Sequence, residues 1–591
     1  MVRRGDGHLD GGVQDAARDG VALRRAAPED GVIDLVFRDA LVVDGRGGEP
    51  FRGDVAVDGG RVVAVGARLA VDAARTIAAE GLALMPGIID SHTHFDAQIT
   101  WDPTLAPSPA LGVTTAVIGN CGFTIAPCRP ADRELTMRNL TQVEGMSIDA
   151  LRAGIDWGFE TFGEYMAQLR ARGSVANVAA YVGHSSVRTY VMGDDAARRE
   201  ASAAEIAQMQ AIVRDAMAHG AVGFASSTSP AHNGEGGLPM PSRLASDAEM
   251  AALVGAMGEG GRGVYMLTKG GHTPVSFLES LAASTGRPVM VAALLHNSVA
   301  PRAVFDDLDA IAAANARGHR LLGQVSCCAL TMDFTLASPY PVEGLASWKP
   351  ALGRSGAELK AVLADRAFRD GVRAELKTAT TFRLFNSEWD KVHVVETARP
   401  DLAHQEQRSI AAIAADEGRD PLDTMLDIAL ADDLKTVFTA QLLNSDEDAV
   451  GRMLNHPHSI VSLSDAGAHL TFFNDAGFGL HLLGHWSRDL GAMSLAEAAR
   501  RLTSHPASVL GLAGRGTIAA GQAADLLLFD PQTVGRGPKR RVHDLPAGAA
   551  RLTTDAVGVH GVWVNGRQVA DADGLIADTP LAGALLTEFV R

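Results

Sequence analysis

Hydrophobic and polar positions along this chain fall into three regimes. Short β-rich runs occupy Ile33 to Phe37, Ala40 to Asp44, Asp54 to Asp58 and Arg61 to Val65, and Gly59-Gly60 between the last two is a tight-hairpin signal. A matching set lies at the far end: Thr517 to Ile518, Ala524 to Phe529 and Gly561 to Val564, where Asn565-Gly566 leads into Arg567-Gln568-Val569. Neither set alone buries a two-sheet core. The two ends are therefore expected to form one small β-sandwich, from 31–85 and from 511–591 with a C-terminal extension, around an inserted central domain. Residues 1–30 are polar and read as a mobile tail.

Between the ends, apolar runs of strand length alternate with helical patterns. Strands are expected near 88–92, 113–119, 175–183, 221–226, 263–268, 288–295, 321–326 and 460–465. Eight is the number a closed (β/α)8 barrel requires, so the fold class is α/β with a TIM-like barrel over 86–510. Capping-box starts precede several helices, at Ser202 with Glu205, Ser246 with Glu249 and Ser494 with Glu497. The helix from Ser202 is expected to stop at His219-Gly220. The stretch from about 327 to 456 is too long for one connection and contains helical segments at Ala357 to Ala367 and Leu422 to Leu430. Long insertions on a barrel's catalytic face shape pockets, and this one is expected to act as a lid.

Composition narrows the partners. A net charge of −17 disfavours nucleic acid and anionic membranes. No run of about 18 apolar residues suits a membrane span. The start of the chain has no continuous apolar segment of the secretory kind. Four cysteines in 591 residues make no disulfide framework and fit a reducing cytoplasm. No Gly-rich phosphate fingerprint follows a strand, so no organic cofactor is expected.

The chemistry is concentrated in Met85-Pro86-Gly87-Ile88-Ile89-Asp90-Ser91-His92-Thr93-His94-Phe95-Asp96. Side chains two apart on a strand share a face, so His92 and His94 aim at one point while Thr93 faces away. Two such imidazoles are half of a zinc-type site, and the flanking Asp90 and Asp96 strengthen that reading. His184 and Arg188 follow the third expected strand and His232 the fourth. All three are candidates for substrate contact; surface or helix-cap bonding is the rival for His184, and Arg188 suits either a substrate carboxylate or a structural salt bridge. His456 and His458 precede the last strand and read as structural.

This block resembles the amidohydrolase superfamily, whose first barrel strand ends in His-x-His. More narrowly, His92-Thr93-His94-Phe95-Asp96-Ala97-Gln98 together with Gly112-Val113-Thr114-Thr115 through Gly119-Asn120-Cys121-Gly122 resembles the D-aminoacylase (N-acyl-D-amino-acid deacylase) branch. The resemblance runs from about 34 to 569. It implies that Cys121 is a metal ligand and that Asp465, after the eighth strand, is both a ligand and the general base. It also implies histidines at the ends of strands five and six, where this chain has Thr268 and Ala293. One zinc ion on His92, His94 and Asp465, with or without Cys121, is therefore expected rather than two. Lys269 beside Thr268 is a candidate for carboxylation or substrate contact, or is simply a solvated lysine in a Gly-rich loop, and His272 and His296 are nearby substitutes as ligands.

The implied activity is metal-dependent hydrolysis of a non-peptide amide C–N bond, in an N-acyl-D-amino acid or related small N-acyl compound. A cyclic-amide hydrolase of the hydantoinase or dihydroorotase kind, which a carboxylated Lys269 would favour, and a non-catalytic binding or assembly barrel are the alternatives. Chirality preference, acyl group and homo-oligomerisation stay open.

Overall fold

The computed structural model describes residues 31–380, 383–469 and 471–590. The tail expected over 1–30 lies outside them.

Eight short parallel strands form the centre: β1 (Ile88–Asp90), β2 (Val113–Ile118), β3 (Asn177–Gly183), β4 (Gly223–Ser227), β5 (Val264–Thr268), β6 (Val289–Leu294), β7 (Leu321–Val325) and β8 (Ser459–Val461). Each pairs in parallel with its successor. Helices cover the outside and side chains fill the inside, so runs such as Val113-Thr-Thr-Ala-Val-Ile118 are buried at every position. Each fully buried Val or Ile there contributes roughly 1.5–3 kcal/mol of transfer free energy.

Between β8 and β1 the ladder gives way to a seam. The Ser91 N–H donates to the Ser462 hydroxyl at 2.9 Å, and that hydroxyl donates to the Ile89 carbonyl at 2.6 Å. Further up, Asp465 N–H donates to the His92 carbonyl (3.1 Å) and His94 N–H to the Ala466 carbonyl (2.7 Å), which forms a Thr93–Ala466 bridge. These bonds close the barrel. They also correct two boundaries, because β1 ends at Asp90 and β8 at Val461, short of His92 and Asp465. The bridge nevertheless keeps the alternation, and the Thr93 hydroxyl bonds the Val117 carbonyl on the far side.

Both chain ends meet in one nine-stranded mixed sheet. Val32–Val42, Phe51–Asp58, Arg61–Gly66, Asp72–Ala78 and Ala83–Pro86 come from the front, and Leu526–Phe529, Val559–Val564, Arg567–Asp571 and Gly574–Leu575 from the back. Ala83–Pro86 pairs antiparallel with Leu526–Phe529. Phe37 and Trp563 meet edge to face at 4.8 Å in a core of its own. Thr517-Ile518 forms no strand; Ile518 only packs against that core.

The insertion after β7 carries a three-stranded antiparallel sheet, ordered Leu330–Phe334, Val437–Leu443, Val392–Glu396, with helices Gly356–Ala364, Arg366–Leu376 and Pro421–Ala431. It too has a separate core, which includes Trp348, Leu363, Val372, Met425 and Phe438.

The caps show where local signals were diverted. Ser202 and Glu205 make the full reciprocal box, and the helix Ala203–Ala218 ends at His219 as expected. Ser246 caps its helix Asp247–Gly258, but Glu249 turns its carboxylate into the barrel wall. Glu497 likewise bonds Arg500 and Arg501.

Candidate metal centre

His92 and His94 leave the end of β1 on one face and are 2% and 4% exposed. Cys121 stands in the turn after β2 with φ +56°. Gly122 beside it has φ +78°, and a Cβ there would lie 2.7 Å from the Ala225 carbonyl oxygen, so glycine lets the turn press against β4. Asp465 follows β8 with φ +54°. Left-handed backbone at a non-glycine residue costs roughly 1–2 kcal/mol, and the seam holds Asp465 in it.

These four side chains converge. Cys121 Sγ lies 3.4 Å from His92 Nε2 and 3.9 Å from His94 Nε2. Asp465 Oδ1 lies 3.2 and 3.4 Å from the same two nitrogens. His92, His94 and Cys121 are all buried and place their ligand atoms within 4.8 Å of one another. The opposite ring nitrogens are already engaged. His92 Nδ1 donates to Gln324 Oε1 at 2.8 Å, and Gln324 is oriented by donating its Nε2 to Ser91 Oγ at 2.8 Å. His94 Nδ1 lies 3.2 Å from Glu144 Oε1. Both Nε2 lone pairs therefore face the sulfur and carboxylate, a set of donors that suits a zinc-type cation.

The electrostatics agree. Burial would raise the Asp465 carboxyl and the Cys121 thiol, but the two imidazoles outweigh it and hold both below their ordinary values. Burial would lower the imidazoles, but Cys121 and Asp465 raise His92, and Glu144 and Asp465 raise His94. Asp90 and Asp96 are pushed up to about 7 by burial. They serve the frame, Asp90 accepting from the Ser464 hydroxyl and the His92 N–H, and Asp96 from the Gly119 N–H at 2.9 Å.

Other candidates fall elsewhere. His184 and Arg188 are fully buried around Glu249, with His184 Nε2 2.9 Å and Arg188 2.6 Å from Glu249 Oε1. Burial holds His184 neutral, so it donates from Nε2 to the carboxylate and accepts at Nδ1 from Ser226 Oγ at 2.8 Å. That enclosure takes both out of the substrate-contacting set. Lys269 is corrected too. It sits one residue past Thr268, on the opposite face, and its Nζ meets Asp307 Oδ2 at 3.1 Å on the helix Ala303–Ala316. Thr268 is the residue that faces in, its hydroxyl 3.1 Å from Cys121 Sγ.

His232 does border the cluster. Its ring lies against Phe123 at 4.9 Å, Nδ1 is 2.7 Å from Ser227 Oγ, and burial, with His469 and His94 nearby, depresses it to about 3. His272 is exposed, and His296 packs on Phe305. Cys128 is buried beside Thr136 and raised to about 11, and Cys327 points at the Phe478 carbonyl. Glu144, Gln324 and His469 carried no sequence signal. They come from a helix end, from β7 and from the turn after Asp465, at spacings that follow no motif.

The amidohydrolase family profile matches residues 75–570, and the chain belongs to that family. D-aminoacylase of Alcaligenes xylosoxydans xylosoxydans is 29% identical over 543 residues, covering 91% of this chain and 94% of the relative. A solved D-aminoacylase structure, described for its binuclear metal centre with one-metal activation and second-metal attenuation, superposes with TM-score 0.64 at 26% identity, covering 94% of this chain and all of that one. N-acyl-D-glutamate deacylase from Bordetella bronchiseptica, solved with zinc and a phosphonate mimic of the tetrahedral intermediate, gives TM-score 0.63 at 25% identity, with 94% and 100% covered. Within the family, the chain falls in the D-aminoacylase branch. Among the described residues, no helix is long and apolar enough to cross a membrane.

Proposed function

We propose that this chain hydrolyses the linear amide bond of an N-acyl-D-amino acid or a related N-acyl compound, with one zinc ion held by His92, His94, Cys121 and Asp465. The reading rests on the convergence of two imidazole lone pairs, a thiol and a carboxylate on one point. Nitrogen and sulfur donors suit zinc over magnesium or calcium. A single ion is favoured because Thr268 spends its hydroxyl on Cys121 and Ala293 offers no donor. The one-metal activation described for D-aminoacylase is in keeping with that count.

When bound, zinc would supply Lewis acidity toward the amide carbonyl and acidify water. The chain's own groups do the rest. Asp465, kept ionised by its neighbours, takes the proton of the attacking water and delivers it to the amide nitrogen as the C–N bond breaks. His232, neutral at any physiological pH, borders the same space and contacts substrate. The cyclic-amide alternative loses its main support, because Lys269 is paired outside the barrel with Asp307.

Zinc content and a panel of N-acyl-D-amino acids, N-acyl-L-amino acids and cyclic ureides test the reading. Turnover of N-acyl-D-amino acids that tracks bound zinc is expected. Turnover of cyclic ureides alone, or a chain that takes up no zinc, would overturn it.

A further inference from the structure

The metal-centre reading leaves one buried charged group unexplained. Glu144 ends the helix Arg133–Glu144 with its side chain 3% exposed. Gly145 behind it takes φ +63°, and a Cβ there would lie 2.7 Å from the Phe472 ring, so the helix ends in a left-handed turn that glycine alone fits without strain. Glu144 is thereby held at a fixed height over the barrel mouth.

Its carboxylate faces two imidazoles. Oε1 lies 3.2 Å from His94 Nδ1 and Oε2 lies 3.8 Å from His469 Nε2, while the Glu144 carbonyl accepts the His469 N–H at 2.5 Å. Among the described residues, no lysine or arginine comes within ion-pair distance of it. A buried carboxylate demands donors, and the N–H of His94 is the nearest one. A proton on His94 Nδ1 meets that demand and leaves the Nε2 lone pair aimed at Cys121 and Asp465. His92 is fixed in the same sense, but by the neutral amide of Gln324.

We propose that Glu144 is the positioning residue of the metal centre. It sets the tautomer and direction of His94 and, through its full negative charge, makes His94 the stronger of the two imidazole donors. The inference rests on the metal-centre reading above.

Zinc affinity, measured on the full chain by competition with a chromophoric chelator, tests it. Glu144→Ala should bind zinc about 10–100-fold more weakly than wild type. Glu144→Gln, whose amide oxygen still accepts from Nδ1, should recover part of that loss and covers the event that the alanine variant does not fold. Glu249→Gln, a buried carboxylate on a histidine away from the cluster, should melt earlier yet keep wild-type zinc affinity. Unchanged affinity in both Glu144 variants would overturn this inference alone, leaving wild-type zinc and Asp465-dependent hydrolysis intact. A wild-type chain without zinc affinity would overturn it together with the metal-centre reading.

Discussion

Two buried clusters built on histidine follow the strands of this barrel, and they do opposite things. At β3 and β4, His184 has a donor on one ring nitrogen and an acceptor on the other, and Glu249 is further neutralised by Arg188. That cluster is electrically complete. At β1, His92 and His94 turn Nδ1 to Gln324 and Glu144, and both turn Nε2 to the same thiol and carboxylate. Two imidazoles, a thiol and a carboxylate there turn their donor atoms to one point, the arrangement that a zinc-type cation takes. Whether a buried histidine is a ligand or a strut is thus decided by its second nitrogen, not by its burial or its place after a strand.

The contrast breaks most visibly at Asp465. Asp465→Asn should lower kcat by about 10²–10⁴-fold, the usual contribution of a positioned proton carrier. Its zinc content, measured by elemental analysis, should also fall, because Asp465 is a ligand, but by less, because His92, His94 and Cys121 remain. A variant that keeps wild-type turnover would remove Asp465 from the reaction.

Glu249→Ala strikes the complete cluster instead. Stripping the carboxylate leaves the Arg188 charge buried and unpaired, at a cost of about 3–5 kcal/mol in denaturant unfolding. Activity per folded molecule should hold. The same cluster sets a pH dependence. His184 and Arg188 hold the Glu249 carboxyl below its ordinary 4.5 despite burial. The folded state therefore sheds this proton more readily than the unfolded one. The stabilisation is present above about pH 4.5 and fades as pH falls through the lower folded value, so Glu249→Gln should flatten the acid limb of a Tm–pH curve.

In the β1 cluster the sign reverses. His92 and His94 hold protons to higher pH than free imidazole, and zinc must displace them. Zinc affinity should therefore still be climbing as pH rises past the ordinary imidazole value of about 6.5, and should fall away steadily as pH drops; a flat profile in chelator competition would contradict the ligand assignment. The smallest effect is expected for Ser464→Ala. That variant removes the hydroxyl that donates to Asp90 and should cost about 1–3 kcal/mol, read from Tm.

Much of this was legible in the sequence, for reasons the structure makes plain. Apolar runs of strand length between capped helices located all eight barrel strands within a few residues, because a parallel strand covered on both faces is mostly apolar. His92 and His94 were legible because the period of two survives through the Thr93 bridge. Parity also explains why Lys269 meets Asp307 rather than the mouth, since one step along β5 exchanges the mouth for the helical layer. Glu249 fitted a capping box locally, and a buried arginine claimed it instead. Glu144 and Gln324 could not be found, because a partner to the far nitrogen of a ligand is fixed only by tertiary approach.

The joining of both chain ends in one sheet has a consequence for synthesis. Ala83–Pro86 leaves the ribosome early, and its partner Leu526–Phe529 follows roughly 440 residues later. At about 5–20 residues per second the wait is roughly 20–90 s. For that interval an apolar edge stands open to other nascent chains, so crowded polysomes and slow codons between the halves should both promote its aggregation.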